Sequence, residues 1–143
     1  MLEPIVLLVD DEAPFVDTMT KRLTKRKLTV FKSYSGDEAL ETLKENSHID
    51  LVILDVKMPG MDGIETLKEI RKEFPLVEVI MLTGHATVET SIEGMRLGAF
   101  DYLMKPCDMD VLIEKVNAAV SKKRDHEEKI REARVNVILK ARP

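Results

Sequence analysis

Leu51-Val-Ile-Leu-Asp55 is the stretch that decides the fold. Four apolar residues run without polar alternation and end on an acid, so the segment reads as a strand covered on both faces. Strands of that kind belong to parallel sheets with helices on either side, because a half-exposed strand would alternate polar and apolar residues. Working outward, Ile5–Val9, Val77–Leu82 and Phe100–Met104 have nearly the same character. Leu28–Ser33 mixes in Thr29, Lys32 and Ser33, which places it at a sheet edge.

Between these runs the apolar period lengthens to that of a helix. Phe15, Met19 and Leu23 recur at four-residue steps after Pro14, a good first-turn residue. Ser35-Gly-Asp-Glu38 and Asp62-Gly-Ile-Glu65 both fit the capping-box pattern, in which side chain and backbone satisfy each other's orphan donors. The helices they open bury Ala39, Leu40 and Leu43 in one case, and Ile64, Leu67, Ile70 and Phe74 in the other. Val88, Ile92 and Met95 form a fourth buried stripe, ended at Gly98, and a fifth from near Asp108 buries Leu112, Val116 and Ala119. Five strand–helix units imply right-handed crossovers and a flavodoxin-like (βα)5 fold: an α/β, five-stranded parallel sheet of order 2-1-3-4-5, with helices on both faces.

The 143 residues suit one domain with a real hydrophobic core. From Ser121 to Lys129 every residue is polar, followed by Ile130, Ala133 and Val137 at helical spacing. We therefore expect a compact domain over 1–121 and a helical extension or linker over 122–143, the last helix running on. No apolar run approaches the ~20 residues needed to cross a bilayer. No basic region precedes Ile5–Val9, which argues against a signal peptide. The lone Cys107 cannot close an internal disulfide, which suits the cytoplasm. A net charge of −4 and no tryptophan give no case for direct nucleic-acid binding. His48, His85 and His126 are too scattered for a zinc site.

In an open parallel sheet, ligands bind beyond the carboxyl ends of the strands, where the strand order reverses. The first strand ends in Asp10-Asp11, the third in Asp55, the fourth leads into Thr83 and the fifth into Lys105-Pro106. The first and third strands are neighbours in the expected order, so three carboxylates face one another. Two unit charges ~4 Å apart repel by about 4 kcal/mol at an effective dielectric near 20, a cost that a hard divalent ion offsets. Asp10 and Asp11 could instead simply cap the helix that follows, but one carboxylate suffices for that. A carboxylate also serves as nucleophile toward phosphorus, and phosphoryl transfer asks mainly for positioning and charge stabilisation. A metal, Lys105 and the Thr83 hydroxyl supply that set.

At these residues the chain resembles the receiver domains of two-component signalling, over roughly residues 3–121. The resemblance rests on Val9-Asp-Asp-Glu12, Leu54-Asp-Val-Lys-Met-Pro-Gly-Met-Asp-Gly63, Met81-Leu-Thr-Gly84 and Gly98-Ala-Phe-Asp-Tyr-Leu-Met-Lys-Pro106. It implies that Asp55 accepts a phosphoryl group in a Mg²⁺-dependent reaction, from a histidine kinase or a histidine phosphotransfer protein. It further implies that Asp11 binds Mg²⁺ directly, Asp10 mainly through water, and the Lys57 main-chain carbonyl completes the ligands. Lys105 then pairs with the phosphoryl group, and its bond to Pro106 is cis, a state open to X–Pro bonds. Thr83 and Tyr102 are the switch residues, altering the surface of the fourth helix, fifth strand and fifth helix for a partner or output domain. Tyr102 as a mere edge-strand aromatic is the alternative. Pro59, Gly60 and Gly63 shape the tight turn near the metal. Lys57 and His85, two residues past Asp55 and Thr83, either hinder or orient attacking water. Cys107 has a packing role. The resemblance makes the domain a switch that catalyses only its own phosphorylation and dephosphorylation.

Two other readings compete. An Mg²⁺-dependent phosphohydrolase with an aspartate nucleophile would carry that residue on its first strand, with a second aspartate two residues on, where this chain has Glu12. The other is the regulatory part of a DNA-binding transcription activator, set against a stand-alone receiver acting on a protein partner. A homodimer through the extended last helix, or through the face of the fourth helix, fifth strand and fifth helix, fits either. The basic residues Lys21, Arg22, Lys25, Arg26 and Lys27 read as a solvated helix end, complementing the dipole.

Overall fold

A computed structural model describes residues 2–141. The elements run β1 (Ile5–Val9), α1 (Ala13–Lys25), β2 (Thr29–Ser33), α2 (Gly36–Glu45), β3 (Leu51–Leu54), α3 (Gly63–Glu73), β4 (Glu78–Thr83), α4 (Val88–Arg96), β5 (Asp101–Met104) and α5 (Met109–Lys140). All strand pairs are parallel, in the order β2-β1-β3-β4-β5. This is the flavodoxin-like topology that the run of apolar segments implies, with the polar strand β2 at an edge.

The strict alternation of a strand splits its apolar residues between two cores. Val6, Leu8, Leu51, Ile53, Ile80 and Leu82 pack on one face with Val16 and Leu23 of α1 and Leu112 and Val116 of α5. Leu7, Val9, Val52, Leu54, Val79 and Met81 pack on the other with Ala39 and Leu43 of α2 and Leu67 and Ile70 of α3. Fully burying each such side chain is worth about 1.5–3 kcal/mol, so the central strands have no polar positions to spare.

The helices differ from the sequence expectation in two places. Ser35 and Asp62 each accept a bond from the backbone N–H three residues on, but neither box closes. Glu38 instead accepts from the Tyr34 backbone. A reciprocal box forms at Thr87 and Thr90, opening α4. The second difference is α4 itself. Val88, Ile92 and Met95 are not buried but 75%, 53% and 47% exposed. The inward face carries Gly94, where an added Cβ would stand 3.3 Å from Tyr102 Cδ2. The Tyr102 ring fills the room beneath α4, so a small residue faces inward and the apolar stripe turns to solvent.

At the opposite sheet edge from the strand carboxyl ends, the polar stretch after Val120 is not wholly solvated. Lys123 is buried and donates to Asp50 Oδ1 at 3.1 Å. Arg124 reaches Asp50 Oδ2 at 2.9 Å and the Leu2 and Glu3 carbonyls at 2.7 and 3.1 Å. Burial alone would raise the Asp50 pKa; Arg124, the Ile5 amide and Lys123 outweigh it and hold the carboxyl below its ordinary range. The first turns of the α5 extension are thereby tied to the residue that precedes β3, the strand leading into Asp55.

Candidate functional site

Register brings the acids together. Val9 lies opposite Leu54 in the β1–β3 ladder, so Asp10 and Asp55 leave the sheet side by side. Both are buried, while Asp11 is exposed at the rim. The three offer carboxylate oxygens within 4.8 Å of one another. That cluster supplies oxygen donors alone, the type a hard divalent cation takes.

Each carboxylate is held differently. Asp10 Oδ1 accepts from the Glu12 backbone at 2.9 Å, and Oδ2 accepts from Lys105 Nζ at 2.6 Å, across 95 residues of sequence. Asp55 Oδ1 accepts a local bond, from the Val56 amide at 2.9 Å. Burial pushes the Asp55 carboxyl above its ordinary range; the Thr83 hydroxyl and Lys105 oppose this, and the Asp10 charge adds to it. The lysine thus bonds Asp10 directly rather than Asp55.

Thr83, at the end of β4, is buried, and its hydroxyl accepts from the His85 amide at 3.0 Å. Lys105 follows β5, and its bond to Pro106 is cis. Tyr102 is half-buried, with its hydroxyl 2.8 Å from Thr90 Oγ1 on α4. Lys57, Pro59 and His85 line the mouth of the cleft with Asp11, Glu12 and Met58. Cys107 is partly buried against the α1/α5 core, and burial, with the Asp108 charge, pushes its thiol pKa up.

The loop between β3 and α3 depends on two glycines. Gly60 has φ +73°, in the left-handed region that glycine enters freely. At Gly63 the reason is contact: an added Cβ would lie 1.9 Å from the Asp55 carbonyl oxygen and 2.7 Å from Val56 Cα. Both are backbone atoms, so α3 itself must retreat. Gly63→Ala is expected to destabilise by about 3 kcal/mol, the upper end of ordinary overpacking, as a lower urea midpoint with an unchanged slope. A midpoint equal to wild type would mean that α3 shifts freely.

Sequence reasoning missed the Phe15 ring, which lies 3.9 Å from Lys105 Nζ. The only signal for it was position: the first turn of the helix that follows the two acids.

An open parallel sheet whose carboxyl edge gathers three acids, a lysine and a threonine defines an acid-centred phosphoryl switch of the doubly wound α/β class. Residues 6–117 match the family described as "Response regulator receiver domain". The chain belongs to that family: it is a receiver domain, a phosphoryl-accepting signalling switch rather than a conventional enzyme.

Among curated proteins it is 38% identical over 120 residues to the transcriptional regulatory protein ZraR of Salmonella typhimurium, covering 84% of this chain and 27% of that protein. It is 36% identical over 121 residues to the DNA-binding transcriptional regulator NtrC of Escherichia coli K12, covering 85% and 26%. The chain therefore spans about a quarter of the length of these relatives. A receiver domain protein from Clostridium thermocellum superposes with TM-score 0.81 at 36% identity, covering 85% of this chain and 97% of that one. The receiver domain of NtrX from Brucella abortus gives 0.75 at 32%, covering 81% and 98%.

Proposed function

We propose that Asp55 is the phosphoacceptor of this receiver, and that a histidine kinase or a histidine phosphotransfer protein is its donor. An Asp55 carboxylate oxygen attacks phosphorus, the bond to the donor imidazole nitrogen breaks, and that nitrogen leaves with a proton. Lys105 pairs with one phosphoryl oxygen and the Thr83 hydroxyl with another. Asp10, Asp11, Asp55 and the Lys57 carbonyl would hold Mg²⁺, which when bound neutralises charge on the acids and on the transferring group. The observation that carries this reading is the convergence of the three carboxylates within 4.8 Å, beside a lysine from the far end of the sheet.

The output step follows from the same neighbourhood. Thr83 leads into the loop that opens α4, and Tyr102 is bonded to that helix through Thr90. Movement of either residue alters a face on which Ile92, Met95, Met104 and Val111 are exposed. That face is where a partner or output domain would read the state, and where two copies could associate. The similarity to ZraR and NtrC favours a role as regulatory part of a transcription activator, with any DNA contact made outside this acidic segment. We place the protein in the cytoplasm, and propose no catalysis beyond its own phosphorylation and dephosphorylation. Among the described residues no helix is long and apolar enough to cross a membrane.

The test is incubation with a small acyl phosphate, with and without Mg²⁺, followed by intact mass and reductive mapping of the acyl phosphate. One phosphoryl group at position 55, not incorporated when Mg²⁺ is omitted, is the expected result. Labelling at another residue, or none, overturns the assignment.

A further inference from the structure

We infer that Phe15 is a positioning residue for Lys105, its ring face keeping the ammonium at the phosphoryl site. The inference rests on the reading above, in which Lys105 pairs with the phosphoryl group. Lys105 Nζ sits in a seat of three walls: Asp10 Oδ2 at 2.6 Å, Glu12 Oε1 at 3.7 Å and the centroid of the Phe15 ring at 3.9 Å. Two walls are carboxylates and one is a neutral ring.

The walls differ in how far other charges can draw them away. Asp10 belongs to the acid cluster, so any cation gathered there competes with Lys105 for it. Glu12 is largely exposed, and its hold is screened by solvent. Phe15 is partly buried, packed against the core that α1 and α5 share, and as a neutral ring it is not drawn toward another charge. Its quadrupole attracts an ammonium on its face without neutralising it. A lysine on a flexible four-carbon stem thus stays near the acids yet keeps its charge for an incoming oxyanion. The ring stands there because α1 starts at Ala13, directly after the acids, and Phe15 lies in its first turn next to Pro14.

The experiment compares Phe15→Leu, Phe15→Tyr, Lys105→Ala and the Phe15→Leu/Lys105→Ala double variant, in the full chain. The first readout needs neither phosphoryl group nor metal: the Lys105 ε-methylene proton shifts in the metal-free protein. The expected result is a ring-current upfield shift in wild type and Phe15→Tyr, absent in Phe15→Leu. The second readout is the initial rate of labelling by a small acyl phosphate at saturating Mg²⁺. Phe15→Leu is expected to slow it about three- to fivefold, the scale of a partly desolvated cation–π contact, and Phe15→Tyr to restore most of it. In the Lys105→Ala background the same Phe15→Leu change should cost nothing further. An equal loss in both backgrounds would mean that Phe15 acts only through packing, and overturns the inference. So does an unshifted methylene or a Phe15→Leu rate equal to wild type. Lys105→Ala labelling at the wild-type rate would instead sink the role of Lys105, and the inference with it.

Discussion

Asp55→Asn is expected to abolish phosphoryl incorporation and, in the metal-free protein, to raise stability. The first effect follows from chemistry, since an amide nitrogen or oxygen is a poor nucleophile toward phosphorus and the other cleft acids are otherwise engaged. Asp10 is bound by Lys105 and by the Glu12 amide, and Asp11 lies at the rim. A loss of at least about a thousandfold is expected, the scale on which removing a nucleophile acts. The second effect follows from linkage. The folded pKa of Asp55 is raised, so its charge opposes folding at every pH above that pKa. The penalty fades as pH falls through the folded value toward the unfolded one. Above the folded value it is fully present in wild type, and it is absent in the asparagine variant. A gain of about 1 kcal/mol is reasonable for relief of a strained functional group. Added Mg²⁺ should narrow or reverse the difference, because a ligand of the folded state stabilises by mass action and the variant has lost one carboxylate. Thermal melts of both proteins, with and without Mg²⁺, read this directly. A variant less stable than wild type without metal would contradict the cause assigned to the raised pKa. The same shift sets a pH profile: without metal, Asp55 gains its proton at a higher pH than an ordinary carboxyl.

The legible parts of this molecule share a physical reason, and so do the hidden ones. Leu51–Leu54 and Ile5–Val9 announce buried parallel strands because burial on both faces removes every polar position. Once the strand order is known, the acids at the strand ends must meet, and Asp10 and Asp55 do. The misread elements are those where a side chain far away in sequence fills a space. Val88, Ile92 and Met95 have good helical spacing, yet the stripe points outward because Tyr102 lies under α4. Phe15 reads as a core residue and is one in part, while its ring face also meets Lys105, 90 positions away. Lys123 lies in a run of nine polar residues from Ser121 to Lys129, and nothing local marks it as buried. Its partner gave the better signal. Asp50 stands directly before a continuous apolar strand, where an unpaired charge would be costly.

That partner is the subject of the other large effect. Asp50→Ala is expected to cost about 3–5 kcal/mol, the range for breaking a buried ion pair by removing one side. Asp50 accepts from Lys123 Nζ, from Arg124 Nε and Nη2, and from the Ile5 amide. Alanine leaves buried Lys123 with Glu127 at 3.0 Å as its remaining partner, and the Ile5 amide without its side-chain acceptor. Lys123→Met should cost far less, about 1 kcal/mol or below, because Arg124 and Ile5 still satisfy Asp50 and the methionine stem replaces the lysine stem. The asymmetry distinguishes a buried charge network from simple packing, which would penalise the two changes alike. The sign with pH is equally definite. The folded Asp50 pKa is depressed, so its contribution is complete above the ordinary carboxylate range and is lost as pH falls through the folded value. Urea midpoints of the two variants against wild type should therefore converge at low pH. Hydrogen exchange locates the effect, since losing Asp50 should release the α5 amides from Lys123 onward more than those of Leu112 or Val116. Asp50 and Asp55 flank the same strand, roughly 16 Å apart at ~3.3 Å per residue, so acyl phosphate formation should survive in the fraction that stays folded. Loss of labelling in folded Asp50→Ala would show that the α5 anchor also shapes the phosphoryl site; equal protection along α5 would show that it is no anchor.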